Sequence, residues 1–396
     1  MTTRRIAVVS GSRADFGLLS RVIAGLRARP GVECQLIVTG SHLSSAHGAT
    51  ATEIESEGVP IRWRVDLGLR SDSALETVKA MGRATIGFAD AYAALSPDLI
   101  VLLGDRYEIL AAASAAAVSS IPVAHLHGGE LSEGAVDDAL RHAITKLSHL
   151  HFVAADQYRD RVIQMGEEPG RVFVVGGLGV DLARHTSLWS RERLARDTGF
   201  AFGRRNLVVT FHPVTLDAQQ GDAELGALLT ALDSLADTHL LFTLPNADVG
   251  NAGMRARIEA FVAAHASAWA FPSLGFARYL SFVAASDGVV GNSSSGLIEA
   301  PALGVGTVNV GRRQDGRLRA SSVIDCDAER APIEAALGTL FSPAFRAALA
   351  EVSNPYGSGG GADDVVRVLA GIEMHGLLAK HFNDIPVPAL SVTHHG

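Results

Sequence analysis

Three stretches carry residues whose types could do chemistry. In "VLLGDRYEILAAASAA" (101–116), Asp105 stands beside Arg106 where a buried apolar run gives way to a small-residue helix. As a helix cap, Asp105 would satisfy free backbone amides. As part of a site, it would lie where open parallel sheets bind ligands, at the carboxyl end of a strand. In "VDDALRHAITKLSHLHF", Asp137 and Asp138 open a helical pattern about 30 residues further on. Acids at a helix start complement its dipole. Gathered near Asp105, they would also suit proton transfer, because mutual repulsion raises one carboxyl toward neutrality. In "AHLHGGE", His125 and His127 form an H-x-H pair, but no third ligand has metal-site spacing, so no metal is expected.

A second group suits a phosphate-bearing ligand. "GSRADFG" follows the first apolar run but lacks the G-x-G-x-x-G of dinucleotide binding, which disfavours NAD. Arg13 in that loop could reach a diphosphate. "TFHPVT" ends a later apolar run with His212. In "GNSSSGLIEAPALGVGTVNVGRRQDGR", Ser293, Ser294 and Ser295 precede a helix, so amides and hydroxyls converge where a phosphate could bind. Glu299, one turn in, could accept both hydroxyls of a ribose. Capping explains the serines as cheaply, but it leaves Arg312, Arg313 and Arg317 without a reason.

The elements that must position these residues follow from the apolar pattern. "RIAVVSG", "CQLIVTG", "DLIVLLG", "IPVAHLHGG" and "LHFVAAD" alternate with helical stretches. A second series follows: "RVFVVGG", "NLVVTFHP", "HLLFTLPN", "DGVVGNSSSG" and "TVNVGRR". Such alternation predicts parallel sheets covered by helices on both faces. Polar residues gather at the strand ends of both series, so two Rossmann-like units facing across a cleft would suit a nucleotide-sugar. The segment "RHTSLWSRERLARDTGFAFGRRN" reads as the hinge.

Composition bounds the classes. A chain of 396 residues predicts two domains, and 47% hydrophobic with 19% charged residues predicts well-filled cores. A net charge of -8, spread along the chain, argues against nucleic-acid or membrane-surface partners. Lys79, Lys146 and Lys380 are the only lysines, so there is no GK[ST] phosphate loop and few Schiff-base candidates. Cys34 and Cys326 are too few for a disulfide framework, and the apolar run before Gly11 is too short for a leader or a span. A cytoplasmic protein is expected.

Taken in order, GSRAD, GDRYE, HLHGGE, DDALRHAITKLSHLH, FHPVT, GNSSSGLIEAP and GRRQDGR resemble the hydrolysing UDP-N-acetylglucosamine 2-epimerases, most closely the bacterial sialic-acid branch. The resemblance implies a glycosyltransferase-B-like α/β fold. The first Rossmann-like domain would span 1–177, the UDP-binding second 178–354, and a C-terminal helix (355–385) would cross back to the first. It implies no metal and no nicotinamide, a UDP-sugar substrate, and a homodimer or homotetramer. Carried over residue by residue, Asp105, Asp137 and Asp138 match catalytic acids. Arg13, Arg106, His212, Ser293, Ser294, Glu299 and Arg313 match UDP contacts, and His42 in "TGSHL" matches a residue near the sugar. Many members carry glutamate where this chain has His127, so His127 and Glu130 both stand as proton-transfer candidates. The implied reaction converts UDP-N-acetylglucosamine and water to N-acetylmannosamine and UDP through 2-acetamidoglucal. The alternatives are the same reaction on a UDP-2,4-diacetamido-2,4,6-trideoxyhexose, a retaining glycosyltransferase of the same fold, and a non-catalytic sensor.

Overall fold

The computed structural model describes residues 3–44, 50–69, 71, 73–133, 135–212, 218–244 and 251–386. Two all-parallel sheets organise it. The first contains β1 (Arg4–Ser10), β2 (Val32–Thr39), β3 (Ile61–Val65), β4 (Leu99–Leu103), β5 (Val123–Leu126), β6 (Leu150–Val153) and β7 (Val172–Val174), in the order β3-β2-β1-β4-β5-β6-β7. The second contains β8 (Arg205–Thr210), β9 (Thr238–Thr243), β10 (Ala268–Phe271), β11 (Gly288–Gly291), β12 (Thr307–Val310) and β13 (Val323–Cys326), in the order β10-β9-β8-β11-β12-β13. Each chain path starts mid-sheet, winds to one edge and returns to build the other. The strand order therefore reverses between β1 and β4, and again between β8 and β11. Such switch points open a crevice at the strands' carboxyl ends. Both crevices hold the predicted motifs.

Central strands form because every residue can be buried: all five residues of β4 and all four of β5 are buried between helix layers. That burial favours the continuous Val, Ile and Leu runs of a doubly covered parallel sheet. "RVFVVGG", read with the second series, instead pairs as β7 beside β6 and closes the first sheet. Three strands, β3, β10 and β13, were not anticipated, and all three are sheet edges.

The chain end returns to the first sheet. The helix Gly361–Gly371 buries Ala362, Val365, Val366 and Leu369 in the same core as Val22, Ile23 and Leu26 of the helix Arg13–Ala28. The Arg4 guanidinium donates to the carbonyls of Leu369 and Ile372 at 2.7 and 2.8 Å. This helix is shorter than the 355–385 expected, because Gly357, Gly359 and Gly360 hold φ of 95°, 97° and 94° and turn the chain before it can start. Buried Asp181, on the connecting helix Leu178–His185, accepts from the amides of Gly360 and Ala362 at 2.8 and 2.9 Å, capping it from outside.

Beyond that helix, Lys380 anchors the chain on a buried carboxylate. Glu167 takes hydrogen bonds from Lys146 (2.6 Å) and His151 Nε2 (2.9 Å), and pairs with Lys380 at 2.8 Å. Burial pushes the Glu167 carboxyl up, but His151, Lys146 and Lys380 outweigh it and hold it at about 2. A carboxyl lowered on folding contributes stability that is present above its unfolded value and lost as pH falls toward its folded one. That loss is expected between about pH 4.5 and pH 2. Glu167→Gln, which strands buried positive charge, is expected to cost about 3 kcal/mol in urea unfolding at pH 7, and to flatten the acid limb over that window. An unchanged acid limb would show that the cluster contributes nothing to stability.

Candidate active site

Two of the candidate acids, Asp105 and Asp138, converge on one guanidinium. Gly104 turns the chain after β4 with a φ of 79°, and Arg106, not Asp105, is the N-cap of the helix Tyr107–Val118. No side chain caps that helix. Asp105 instead pairs with Nη2 of Arg141, a side chain almost wholly buried on the helix Val136–Leu147. The same Nη2 donates to Ser132 Oγ at 2.9 Å, while Nη1 donates to the Glu130 carbonyl at 2.9 Å and lies 3.4 Å from Asp138 Oδ1. Asp138 also accepts from the Ser132 amide at 2.6 Å, which folds the 131–132 loop over the helix start. Burial alone would lower the Arg141 pKa, yet Asp105, Glu130 and Asp138 around it raise it. Asp137 lies in the first turn of the same helix.

His127 and Glu130 act as a unit. His127 leaves β5 with a φ of 64°, and its Nδ1 stands 2.8 Å from Glu130 Oε1. Its Nε2 accepts from the Leu178 amide at 3.3 Å, at the start of the connecting helix. This pattern places the ring proton on Nδ1. His125 faces elsewhere: it is fully buried, and its Nε2–H donates to the Gly104 carbonyl at 2.8 Å while Nδ1 lies 3.1 Å from Thr145 Oγ1. The H-x-H pair therefore does not converge. Among the described residues, no group of three His, Cys, Asp or Glu side chains is placed to hold a metal ion.

At the first switch point, Arg106 Nε donates to Glu108 Oε1 at 2.7 Å. His42 is fully buried, with Nε2 2.8 Å from Ser10 Oγ and Nδ1 2.7 Å from Thr50 Oγ1. Burial lowers its pKa to about 4, so near neutral pH it is an uncharged brace behind the β1 loop. Asp15, in the first turn of the helix Arg13–Ala28, is pushed up to about 6, chiefly by burial and despite Arg106. Arg13, which opens that helix, pairs with Glu53 and meets Ser273 of the second unit.

At the second switch point, His212 and Asn292 lock the ends of β8 and β11 together. The His212 amide donates to Asn292 Oδ1 at 2.7 Å, and Asn292 Nδ2 donates to the His212 carbonyl at 2.8 Å. The Asn292 carbonyl in turn accepts from Arg313 Nη1 at 3.0 Å and Gln314 Nε2 at 2.7 Å, which fixes the arginine over the serine loop. Ser294 is the N-cap of the helix Ser295–Ala302 but makes no capping bond with its side chain, and Ser293 Oγ accepts from the Ser295 amide at 3.3 Å. Glu299 projects from that helix with one buried oxygen lacking a hydrogen-bond partner among the described residues. Burial raises its pKa. The connecting helix packs against it so closely that a Cβ on Gly179 would lie 2.2 Å from Glu299 Oε1. The remainder of "FHPVT" after His212 lies outside the described residues.

The structure thus gathers Asp105, His127, Glu130 and Asp138 on the first sheet, and His212, Ser293, Ser294, Glu299 and Arg313 on the second. Arg141 and Glu108 were not anticipated. Arg141's spacing of three residues after Asp138 was the available signal. Arg317, read only as a basic residue without a capping role, crosses to the first unit, where its Nε donates to the Leu131 carbonyl at 3.1 Å.

Comparison with known proteins identifies the family. The family model described as UDP-N-acetylglucosamine 2-epimerase matches residues 24–370. Polysialic acid biosynthesis protein P7 of Escherichia coli is 36% identical over 97% of this chain and 98% of its own length. The GDP/UDP-N,N'-diacetylbacillosamine 2-epimerase (hydrolyzing) of Campylobacter jejuni is 37% identical over 83% of this chain and 85% of its own. The structure of UDP-GlcNAc 2-epimerase from Neisseria meningitidis bound to UDP-GlcNAc superposes with a TM-score of 0.78, at 17% identity, covering 92% of this chain and 99% of that one. That likeness supports the glycosyltransferase-B-like fold. With the family model spanning most of the chain and both sheets in place, this chain belongs to the UDP-N-acetylglucosamine 2-epimerase family.

Proposed function

We propose that this protein is a hydrolysing 2-epimerase that converts UDP-N-acetylglucosamine and water to N-acetylmannosamine and UDP. The observation that carries the reading is the meeting of Asp105, Asp138 and the Glu130 carbonyl on Arg141 in one unit, with His212, Asn292 and Arg313 tied together at the switch point of the other. No carbonyl adjoins C2 of the sugar, so its proton becomes acidic only as positive charge develops at C1. The diphosphate leaves with the C1–O electron pair while a carboxylate takes the C2 proton, and C1=C2 forms as 2-acetamidoglucal. Arginine at the diphosphate stabilises the leaving group. Water then gives its hydroxyl to C1 and a proton reaches C2 from the opposite face, inverting that centre. Asp137, Asp138, His127 and Glu130 are the proton carriers, with Asp105 against the sugar.

In this reading Arg13, Arg106, His212, Ser293, Ser294, Glu299 and Arg313 hold UDP, and His42 braces the sugar side. The two domains are 1–177 with 355–385, and 178–354, assembled as a homodimer or homotetramer. No helix among the described residues is long and apolar enough to cross a membrane. The similarity to the Campylobacter jejuni enzyme favours one second reading, the same chemistry on a UDP-2,4-diacetamido-2,4,6-trideoxyhexose.

Incubation with each UDP-sugar, without acceptor, followed by mass and NMR analysis of products tests both. Free N-acetylmannosamine with equimolar UDP is the expected result. Turnover of the diacetamido sugar alone would favour the second reading, and an epimerised sugar still bearing UDP would exclude hydrolysis.

A further inference from the structure

We propose that Arg317 is a positioning residue: carried by the second unit, it reaches across to the first and fixes the Glu130 carboxylate there. The proposal rests on the reading of Glu130 as a proton carrier. Arg317 lies beside the phosphate-facing Arg313 in sequence, but its side chain turns away toward the first sheet. Nε donates to the Leu131 carbonyl at 3.1 Å, Nη2 donates to Ser132 Oγ at 3.2 Å, and Nη2 stands 3.5 Å from Glu130 Oε2. The side chains of Arg317 and Glu130 are only 12% and 4% exposed, so water screens the pair little.

The neighbouring backbone is built for this contact. Gly316 has a φ of 81°, and a Cβ there would lie 2.9 Å from Leu131 Cβ, so only glycine lets the second unit lie this close to the loop. The Leu318 amide donates to Tyr158 OH at 3.2 Å, and Tyr356 OH donates to the Leu318 carbonyl at 3.2 Å. Gly316 and Arg317 therefore meet the 130–132 loop, while Leu318 is held by Tyr158 and Tyr356 beside it. Ser132 Oγ takes one guanidinium from each unit, Arg141 at 2.9 Å and Arg317 at 3.2 Å, so the contact also reaches Asp105 and Asp138 through Arg141.

The groups facing Glu130 come from several elements. His127 closes β5, Arg141 stands on the helix after it, and Tyr158 and Arg161 lie on the helix Asp156–Gln164, Arg161 donating to the Gly129 carbonyl. Tyr356 faces it from the returning segment, and Arg317 is the charged group brought by the second unit. Burial pushes the Glu130 carboxyl up, but Arg317 leads the opposing influences, with His127 and Arg141, that hold it at about 2. Loss of the Arg317 guanidinium would remove that leading charge while burial by the first sheet persists. Arg317 therefore holds the carboxylate ionised and in one place.

The test uses full-length protein carrying 13C-carboxyl glutamate, with the Glu130 signal assigned by Glu130→Gln. In the wild type this signal is expected to stay ionised to the lowest pH at which the fold survives. In Arg317→Ala its midpoint is expected to rise by about one pH unit or more. With UDP-GlcNAc, kcat is expected to fall about tenfold or more, while calorimetric UDP affinity changes by less than about threefold. Arg317→Lys, which keeps the charge but not the fork, should restore the midpoint more fully than kcat. An unmoved Glu130 midpoint in both variants would overturn the proposal. So would a tenfold loss of UDP affinity at unchanged kcat, which would assign Arg317 to the diphosphate. Should Arg317→Ala not fold, Arg317→Gln and Arg317→Lys carry the same readouts. Wild-type protein without turnover would sink the functional reading yet leave the titration arm able to decide the Arg317 contact.

Discussion

Asp105→Asn is expected to lower turnover by a factor of about 10² to 10⁴ while leaving UDP binding within about threefold. The two effects separate because of where the charge goes. Were Asp105 a helix cap, Asn would substitute well and activity would survive. The helix after β4 instead takes Arg106 as its cap, and the Asp105 carboxylate is spent on Arg141. Asn keeps the shape and an acceptor oxygen but cannot hold a proton or balance that guanidinium. Arg141 retains the Glu130 carbonyl, Ser132 and Asp138, so the fold should lose only about 1 to 3 kcal/mol.

The converse holds on the second sheet. His212→Ala and Arg313→Ala are expected to weaken UDP about tenfold each, the worth of one hydrogen bond to a charged group. Isothermal titration with UDP, beside steady-state turnover and thermal melting, checks the whole pattern. Loss of UDP affinity in Asp105→Asn equal to that in Arg313→Ala would make Asp105 a structural residue.

The difference between what the sequence made legible and what it hid follows from burial. β4 reads "LIVLL" and is buried throughout, so its apolar run has no competing explanation. Edge strand β3 reads "IRWRV", with alternate residues exposed, and β13 reads "VIDC", with none fully buried. An edge needs only one covered face, and four or five alternating residues are too short to stand out. β7 was visible as a strand, but which sheet it joins is decided by pairing with β6, a long-range fact no local pattern carries.

The site divides in the same way. Acids and basic residues at strand ends were legible as types, because such residues are costly there unless used. Their partners were not. Asp105 and Arg141 lie 36 residues apart and meet only because β4 pairs with β5 and the helices that follow these two strands pack together. The His42 ring looked available in "TGSHL", yet Ser10 and Thr50 occupy both its nitrogens. Arg317 sat in a basic run that read as one feature, but next to the turn at Gly316 its side chain reaches the first unit while Arg313 stays on the second.

Turnover in D2O is expected to place deuterium at C2 of essentially every released N-acetylmannosamine, and turnover in 18O-water to place the label at C1 and not in UDP. Both follow from breaking C1–O before water is added. The C2 proton must leave for the double bond to form, and it is lost to solvent exchange if its carrier is open to water. Asp138 is about a quarter exposed and reaches solvent, whereas Glu130 is nearly enclosed. Under the proposed mechanism, two carriers so placed, Glu130 on the loop after β5 and Asp138 on the helix that follows, can serve opposite faces of the sugar ring. Removing one of them need not stop both steps. At least one of Asp137→Asn, Asp138→Asn, His127→Ala and Glu130→Gln is therefore expected to slow hydration more than elimination and release 2-acetamidoglucal, visible by its vinyl proton in NMR. Retention of hydrogen at C2 after complete reaction in D2O would rule out exchange at the inverted centre. Label found in UDP would mean that water attacked phosphorus, and the carboxylates around Arg141 would then need another task.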